Sequence, residues 1–479
     1  MITSTAFAGK HYAVLGLARS GLATVEALLA SGARVTAWDS NQETIEKFRS
    51  SQAKSRDAGA SVSTQFIQSN AAGGVERLDT NGLVFLDLDT ADLTQFDSII
   101  VTPGLPLNRH PIAQRAADAG VEIIGDIELF ARARAELPPH KVVGITGTNG
   151  KSTTTALVHH ILQTAGVPSL MGGNIGLPIL AQDPLPEGGV YVLELSSYQL
   201  DLTETLDCDV AVLLNITPDH LDRYDEFEAY AASKMRIFGM QTFPHRAVVT
   251  SEAWRQPVVD RKWFTSLRLD RVSAADWDEP GLLGSAVYDG TAYLDGEAIA
   301  CQRDWPTLQG PHNAQNVAAA LAVCEKLDLN DDVVAKALQT YPGLPHRMER
   351  VHEKGGVQFV NDSKATNPTA TAPALAAFPA IRWILGGQAK SDNLDECAPH
   401  FGNVRKAYTI GEAGEMFASL LSPHMAVARC GTLEAAVTAA AANAREGETV
   451  LLSPACASFD QFRDFEARGE AFRAAVEAL

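Results

Sequence analysis

A run of glycines closes on a lysine and a hydroxyl residue at Gly144-Ile145-Thr146-Gly147-Thr148-Asn149-Gly150-Lys151-Ser152. An apolar run precedes it, and a helical pattern opens at Thr153. In that order these residues suit phosphate binding. Glycines let consecutive backbone N–H groups turn toward one anion, and the helix N-terminus adds partial positive charge. Lys151 can reach the outer phosphates of a nucleotide, and Ser152 can ligate magnesium. The strict spacing of such loops wants its first glycine at 145, where Ile145 stands, so the loop is a variant. A chance Gly-Lys-Ser in a Gly-rich turn is the competing reading, and the strand–loop–helix order argues against it. No Asn-Lys-x-Asp run follows, so ATP is preferred to a guanine nucleotide.

The apolar stretch Tyr191-Val192-Leu193-Glu194-Leu195-Ser196-Ser197 carries a carboxylate near its end. In open α/β sheets ligands sit beyond the carboxyl ends of strands. Glu194 is thereby placed to hold the magnesium of ATP, an ion that takes few carboxylates plus phosphate oxygens. Considered alone, it would read as a salt-bridged strand end. A strand over 210–214 then runs into a polar loop that contains His220, which suits a ligand and a cap equally. Lys234 lies in 225–239, where Phe227, Tyr230, Ala231, Met235 and Phe238 give helical periodicity. Periodicity alone makes it a solvated helix lysine. Gly16-Leu17-Ala18-Arg19-Ser20-Gly21 lacks the middle glycine of the dinucleotide fingerprint, so a single nucleotide is expected there.

These groups need rigid elements to hold them. Strand-like and helix-like runs alternate throughout, which predicts an α/β protein with mostly parallel sheets. Strands are expected over 11–16, 34–38, 97–101, 141–145, 357–360, 381–385, 406–410 and 449–452, and helices over 20–31 and 435–444. Leu137-Pro138-Pro139-His140 breaks structure before one strand, and Tyr341-Pro342-Gly343-Leu344-Pro345 breaks it before another series. Three domains follow, 1–138, 139–345 and 346–479, as suits 479 residues at about 100–200 per domain. Segment 40–96 is long for one connection and receives no role.

The composition, 46% apolar and 20% charged, is globular. Asp plus Glu number 58 against 39 Lys plus Arg, a formal charge of −19. Such a field repels polyanions, which excludes a general nucleic-acid or anionic-membrane binder. The apolar runs are too short for a bilayer and no secretory pattern is visible, so a cytoplasmic protein is expected. Cys208, Cys301, Cys324, Cys397, Cys430 and Cys456 form no C-x-x-C pair and are expected to be buried free thiols.

Taken together, GITGTNGKS (144–152), GGNIGLP (172–178), LELSSYQL (193–200), NITPDHLDRY (215–224) and HNAQN (312–316) resemble the Mur ligases. NDSKATNP (361–368) and LSPACASFDQF (452–462) narrow the likeness to the branch that adds D-glutamate to UDP-N-acetylmuramoyl-L-alanine. The resemblance implies a Rossmann-like N-terminal domain for the UDP-substrate, a P-loop-type central ATPase and a Rossmann-like C-terminal domain for the amino acid. It implies an ATP-dependent amide ligase that works through an acyl phosphate and uses two magnesium ions. It also implies a monomer whose partners are small molecules, not nucleic acid or membrane.

The same likeness implies single roles. Gly147, Thr148, Asn149, Gly150, Lys151, Ser152 and Thr153 would hold the ATP phosphates, with Asn313 and Asn316 on adenine and nucleotide. Arg347 would reach the γ-phosphate and Asp362 the ribose side, with Lys364 beside it. Lys151, His220, Lys234 and Arg347 form the implied catalytic set. Arg19, Ser20 and Asp39 would line the uracil and diphosphate pocket, Thr102 and Gly104 would approach the diphosphate, and Asn174 and His220 would face the muramoyl end. D-glutamate would fall to Thr366, Lys390, Ser458 and Phe465. Ser152, Glu194, His220 and Lys234 would ligate metal, the lysine as a carbamate formed with carbon dioxide. Gln388 departs from the pattern, standing where many members carry an acid. The absent Asp-Asn-Pro-Arg run argues against the relative that adds a diamino acid. A folate polyglutamate synthase would lack the UDP-type domain. A nucleotide-sugar-binding regulator without turnover would not need Lys151, Glu194, His220 and Lys234 together.

Overall fold

In the computed structural model the described residues are 1–46, 48, 82–219, 223–274, 282–294 and 296–479. Much of segment 40–96 and the whole of His220 lie outside them. Among the described residues the strands build three sheets.

The first sheet contains β1 (His11–Leu15), β2 (Arg34–Trp38), β3 (Leu83–Phe85), β4 (Ser98–Val101) and β5 (Glu122–Ile124). Its order is β3-β2-β1-β4-β5, all parallel. Strands buried on both faces read as continuous apolar runs, and β1 and β4 do so. The order reverses between β1 and β4, where a crevice opens beyond the strand ends. Gly16 and Thr102 follow those two ends.

The second sheet contains β6 (His140–Thr146), β7 (Ser169–Gly173), β8 (Gly189–Glu194), β9 (Val210–Leu213), β10 (Arg246–Thr250), β11 (Arg268–Ser273), β12 (Leu282–Tyr288), β13 (Thr291–Leu294) and β14 (Glu297–Cys301). Its order is β14-β13-β12-β11-β10-β9-β6-β8-β7. It is parallel from β7 to β12 and antiparallel from β12 to β14. β6 lies between β8 and β9, so the loop after β6 emerges between their carboxyl ends.

The third sheet contains β15 (Glu349–Lys354), β16 (Val357–Asn361), β17 (Ile381–Gly386), β18 (Val404–Ile410), β19 (Val427–Gly431) and β20 (Thr449–Leu452), ordered β15-β16-β20-β17-β18-β19. Only its edge pair β15–β16 is antiparallel. The fold is therefore mixed α/β with parallel-dominated sheets, as expected.

The chain divides into two compact units, Met1–Cys301 with His312–Leu338, and Gln302–Pro311 with Gln339–Leu479. The first unit carries the first two sheets, and polar ties join them. Glu128 accepts from the N–H groups of Glu204 (2.8 Å) and Thr205 (2.9 Å) and from the Thr205 hydroxyl (2.9 Å), with Arg132 donating to it at 2.8 Å. Arg223 donates to the carbonyls of Gly104 (3.1 Å) and Leu105 (2.6 Å), and its guanidinium lies 4.1 Å from the centre of the Tyr198 ring.

The cysteines are free, and Cys208, Cys324, Cys397 and Cys456 are buried as expected. Cys301 and Cys430 are half-buried instead, because both lie in edge strands, β14 and β19. Among the described residues no helix is long and apolar enough to cross a membrane.

Candidate active site

β6 runs into the Gly-rich loop, and the helix Lys151–Thr164 opens two residues earlier than the pattern suggested. Gly150 caps that helix at φ +83°, where an L side chain is strained. A Cβ there would also strike the Asn316 side-chain oxygen, so glycine admits the helix Pro311–Lys326 against the loop. Lys151 folds back over the loop, donating from Nζ to the carbonyls of Gly147 (2.9 Å) and Thr148 (2.8 Å). Ser152 and Thr153 are buried in the first helical turn, where N–H groups lack partners within the helix. Asn313 and Asn316 are buried together, and Asn316 Nδ2 donates to Asn313 Oδ1 at 3.2 Å.

Lys234 overturns the expectation of a solvated lysine. It is 1% exposed, on the buried face of the helix Phe227–Gly239. Its Nζ donates to the Gly147 carbonyl at 2.9 Å and lies 4.5 Å from the centre of the Tyr230 ring. Two lysines thus converge on one loop carbonyl. Burial, reinforced by the Lys151 charge, holds the Lys234 amine well below the usual lysine range, against the pull of Asp219, Asp201 and Glu194. The spacing could have revealed this, because 227, 230, 231, 234, 235 and 238 form one helical stripe.

Glu194 ends β8 and is 2% exposed. Asn174 Nδ2 donates to its Oε1 at 3.0 Å, while Oε2 is buried with no hydrogen-bond partner among the described residues. An orphaned buried carboxylate oxygen is costly and marks a place for a cation. Ser152 lies in the first turn of the helix that follows β6, the strand whose Ile145 pairs with Glu194, and a hydroxyl and a carboxylate are oxygen ligands that fit a magnesium ion. The implied role of His220 falls outside the described residues. A cavity of about 490 Å³, lined by Lys141, Val210 and Arg246 among others, opens at the strand starts, the end of this sheet opposite the phosphate loop.

In the first sheet, Gly16 stands at φ +97°, and a Cβ there would collide with Thr102, so the two loops of the crevice touch. Asp39 accepts from Leu17 N–H at 2.7 Å and from Asn41 N–H at 2.9 Å, which ties the loop after β1 to the end of β2. Arg19 opens the helix Arg19–Ala30 and is exposed, and Ser20 follows it. Thr102 N–H donates to Leu15 O at 3.2 Å.

The second unit gathers its own set. Lys390 Nζ donates to Thr366 Oγ1 at 3.4 Å, and Lys364 Nζ lies 5.6 Å from the centre of the Phe465 ring. Ser458 is buried, and the backbone of Gln388 pairs with that of Ala457. Arg347 lies between two residues with positive φ, His346 (+60°) and Met348 (+45°), and its Nε is buried without a hydrogen-bond partner among the described residues. Arg468 reads in sequence as an ordinary helix residue, yet it is 1% exposed. It donates to Ser363 Oγ (3.0 Å), Ser363 O (2.9 Å), Cys456 O (3.0 Å) and Ala457 O (3.2 Å), pinning the segments that carry Lys364 and Ser458.

Asp362 is buried, accepting from the Ser453 hydroxyl (2.7 Å) and Met348 N–H (3.1 Å). Burial raises its carboxyl to about 7, although those two bonds and Arg347 oppose the rise. The folded form then keeps a proton that the unfolded chain loses near the ordinary value of 3.8. Stability should therefore fall as pH rises between those values, and stay lower above them. Asp362→Asn removes this titration. Between pH 5 and pH 8 the wild-type melting temperature is expected to drop relative to that of the variant. Parallel slopes in calorimetry would show that Asp362 does not titrate there.

Strand, Gly-rich loop, helix and a buried acidic strand end are the arrangement of a phosphate loop in an α/β fold. Residues 145–324 match the Mur ligase middle domain, and residues 346–456 match the Mur ligase glutamate ligase domain. The UDP-N-acetylmuramoylalanine--D-glutamate ligase of Novosphingobium aromaticivorans is 55% identical over 479 residues, covering 100% of this chain and 97% of that protein. The ligase of the same name from Phenylobacterium zucineum is 43% identical over 492 residues, covering 100% and 98%. Two solved Thermotoga maritima structures share the fold. The UDP-N-acetylmuramate-alanine ligase MurC has TM-score 0.56 at 15% identity over 98% of this chain and 99% of its own. The MurF ligase in complex with ADP has TM-score 0.56 at 16% identity over 100% and 97%. The chain belongs to the Mur ligase family.

Proposed function

We propose that this protein is an ATP-dependent ligase that joins D-glutamate to UDP-N-acetylmuramoyl-L-alanine in peptidoglycan precursor synthesis. The observation that carries this reading is the phosphate loop with Lys151 folded over it, with a buried glutamate on the adjacent strand whose second oxygen has no hydrogen-bond partner among the described residues. A carboxylate is a poor electrophile. Its oxygen first attacks the γ-phosphorus of ATP, the bond to ADP breaks, and an acyl phosphate forms. The amine of D-glutamate then attacks the acyl carbon, phosphate leaves, and the nitrogen gives up its proton. The first step brings anions together, so fixed positive charge where they meet lowers its barrier.

Lys151 and the amides of the first helical turn would supply that charge. Ser152 and Glu194 would hold magnesium, which when bound draws charge from the phosphate oxygens. A second ion would rest on His220 and on Lys234 as its carbamate. Asn313, Asn316, Arg347, Asp362 and Lys364 would serve the nucleotide. Arg19, Ser20, Asp39, Thr102, Gly104 and Asn174 would serve the UDP-substrate. Lys390, Thr366 and Ser458 would supply the cation and hydroxyls that a dicarboxylate needs, with Phe465 alongside. We take the three sheets as three functional domains with joints near 138 and 345, in a cytoplasmic monomer.

Phosphate release from ATP and UDP-N-acetylmuramoyl-L-alanine, with and without D-glutamate, tests the reading. Release that depends on D-glutamate is expected. Release that ignores D-glutamate, or that answers only to a different amino acid, would overturn the substrate assignment.

A further inference from the structure

The phosphate loop lacks the consensus glycine at its start, where Ile145 stands, and something else must fix its path. β9 does so, beyond the point where strand pairing stops. Thr146 pairs with Leu213, and Leu214 N–H donates to Thr146 O at 3.0 Å. One step on, Thr148 N–H donates to Asn215 O at 2.9 Å. The next contact is made by a side chain. Asn215 Oδ1 accepts from Asn149 N–H at 2.7 Å, and Asn215 Nδ2 donates to Asn149 O at 3.1 Å. A primary amide is a copy of a peptide group, so the Asn215 side chain extends the ladder by one rung along the loop. Asn215 is 4% exposed, where bonds of this kind are firm and their loss is expensive.

The contact continues outward. Asn215 Nδ2 also donates to Gln315 Oε1 at 3.4 Å, and Gln315 Nε2 donates to Glu252 Oε2 at 2.6 Å. Gln315 lies on the helix Pro311–Lys326, between Asn313 and Asn316, and Asn316 lies against Gly150 of the loop.

We infer that Asn215 is a positioning residue that sets the phosphate loop, and that Gln315 links it to the helix bearing Asn313 and Asn316. The Asn149 N–H is consumed by this clamp, so the anion is left to the amides after it, at the start of the helix. The inference rests on the nucleotide reading above and concerns the β-phosphate and γ-phosphate only.

The test is calorimetric titration of the full-length protein with ADP, AMP and UDP-N-acetylmuramoyl-L-alanine. Asn215→Ala is expected to weaken ADP binding at least ten-fold while AMP and the UDP-substrate change less than two-fold. Gln315→Ala should weaken ADP about three-fold, again without moving AMP. The double variant should bind ADP no more weakly than Asn215→Ala, because both act on one clamp. Equal losses for ADP and AMP would mean a general structural role and would overturn the inference, as would unchanged ADP binding. If Asn215→Ala does not fold, Gln315→Ala decides by the same ADP-to-AMP ratio. Wild-type protein that fails to bind ADP would instead refute the nucleotide reading itself.

Discussion

Lys151→Ala is expected to lower turnover by a factor of at least roughly 10²–10³ at saturating ATP, the cost of removing one fixed group that stabilises transition-state charge. The ammonium is already held over the loop by the carbonyls of Gly147 and Thr148. Among the side chains of 144–152 it carries the only positive charge. Backbone amides can still cradle phosphate, so ATP should bind, more weakly. The larger loss falls on phosphoryl transfer, where an acyl carboxylate approaches a triphosphate. Steady-state assays that separate kcat from KM check this. A variant that keeps most of its kcat would remove Lys151 from the chemistry.

How much of this was legible in the sequence depended on where each residue's partner lies. β2 and β20 begin and end where the sequence reading placed them, because interior parallel strands bury both faces of their central residues. β15 was not readable. Glu349–Lys354 is a mostly exposed edge strand, and its alternation is drowned by charge. β7 ends in Gly172-Gly173, and glycines weaken a strand pattern, so no strand was placed there. β11 to β14 hold the hairpins that end the second sheet, and polar residues such as Asp270 and Arg271 mask them. In the site, the placement of the loop, Glu194 and Lys151 at strand and helix ends was legible because it follows from order along the chain. Asn215, Gln315, Arg223 and Arg468 were not. Their roles lie in hydrogen bonds to groups far away in sequence, which no local pattern reports. Lys234 falls between the two cases, since its position in the apolar stripe was visible and its polar type drew the reading outward.

That buried lysine carries the last prediction. An ammonium cannot ligate a cation, and magnesium takes oxygen ligands. If Lys234 serves a second magnesium, its nitrogen must first become part of an anion. A neutral amine can attack carbon dioxide: the N–C bond forms, one C=O pair moves onto oxygen, and a proton leaves. The product is a carboxylate-like carbamate. The environment favours the neutral amine, because burial and the neighbouring Lys151 charge depress its pKa, which raises the neutral fraction at a given pH. Lys234→Ala is therefore expected to be nearly inactive. Acetate or formate should restore part of the activity, since a small carboxylate can enter the space left by the side chain and supply the missing oxygens. Lys234→Arg should stay inactive even with acetate, because a guanidinium keeps its charge and fills the space. In CO2-depleted buffer the wild-type enzyme should lose activity and regain it on addition of bicarbonate, while Lys234→Ala should not respond. Wild-type-like turnover in Lys234→Arg would show that positive charge alone is needed beside Gly147, and the carbamate would have to be abandoned.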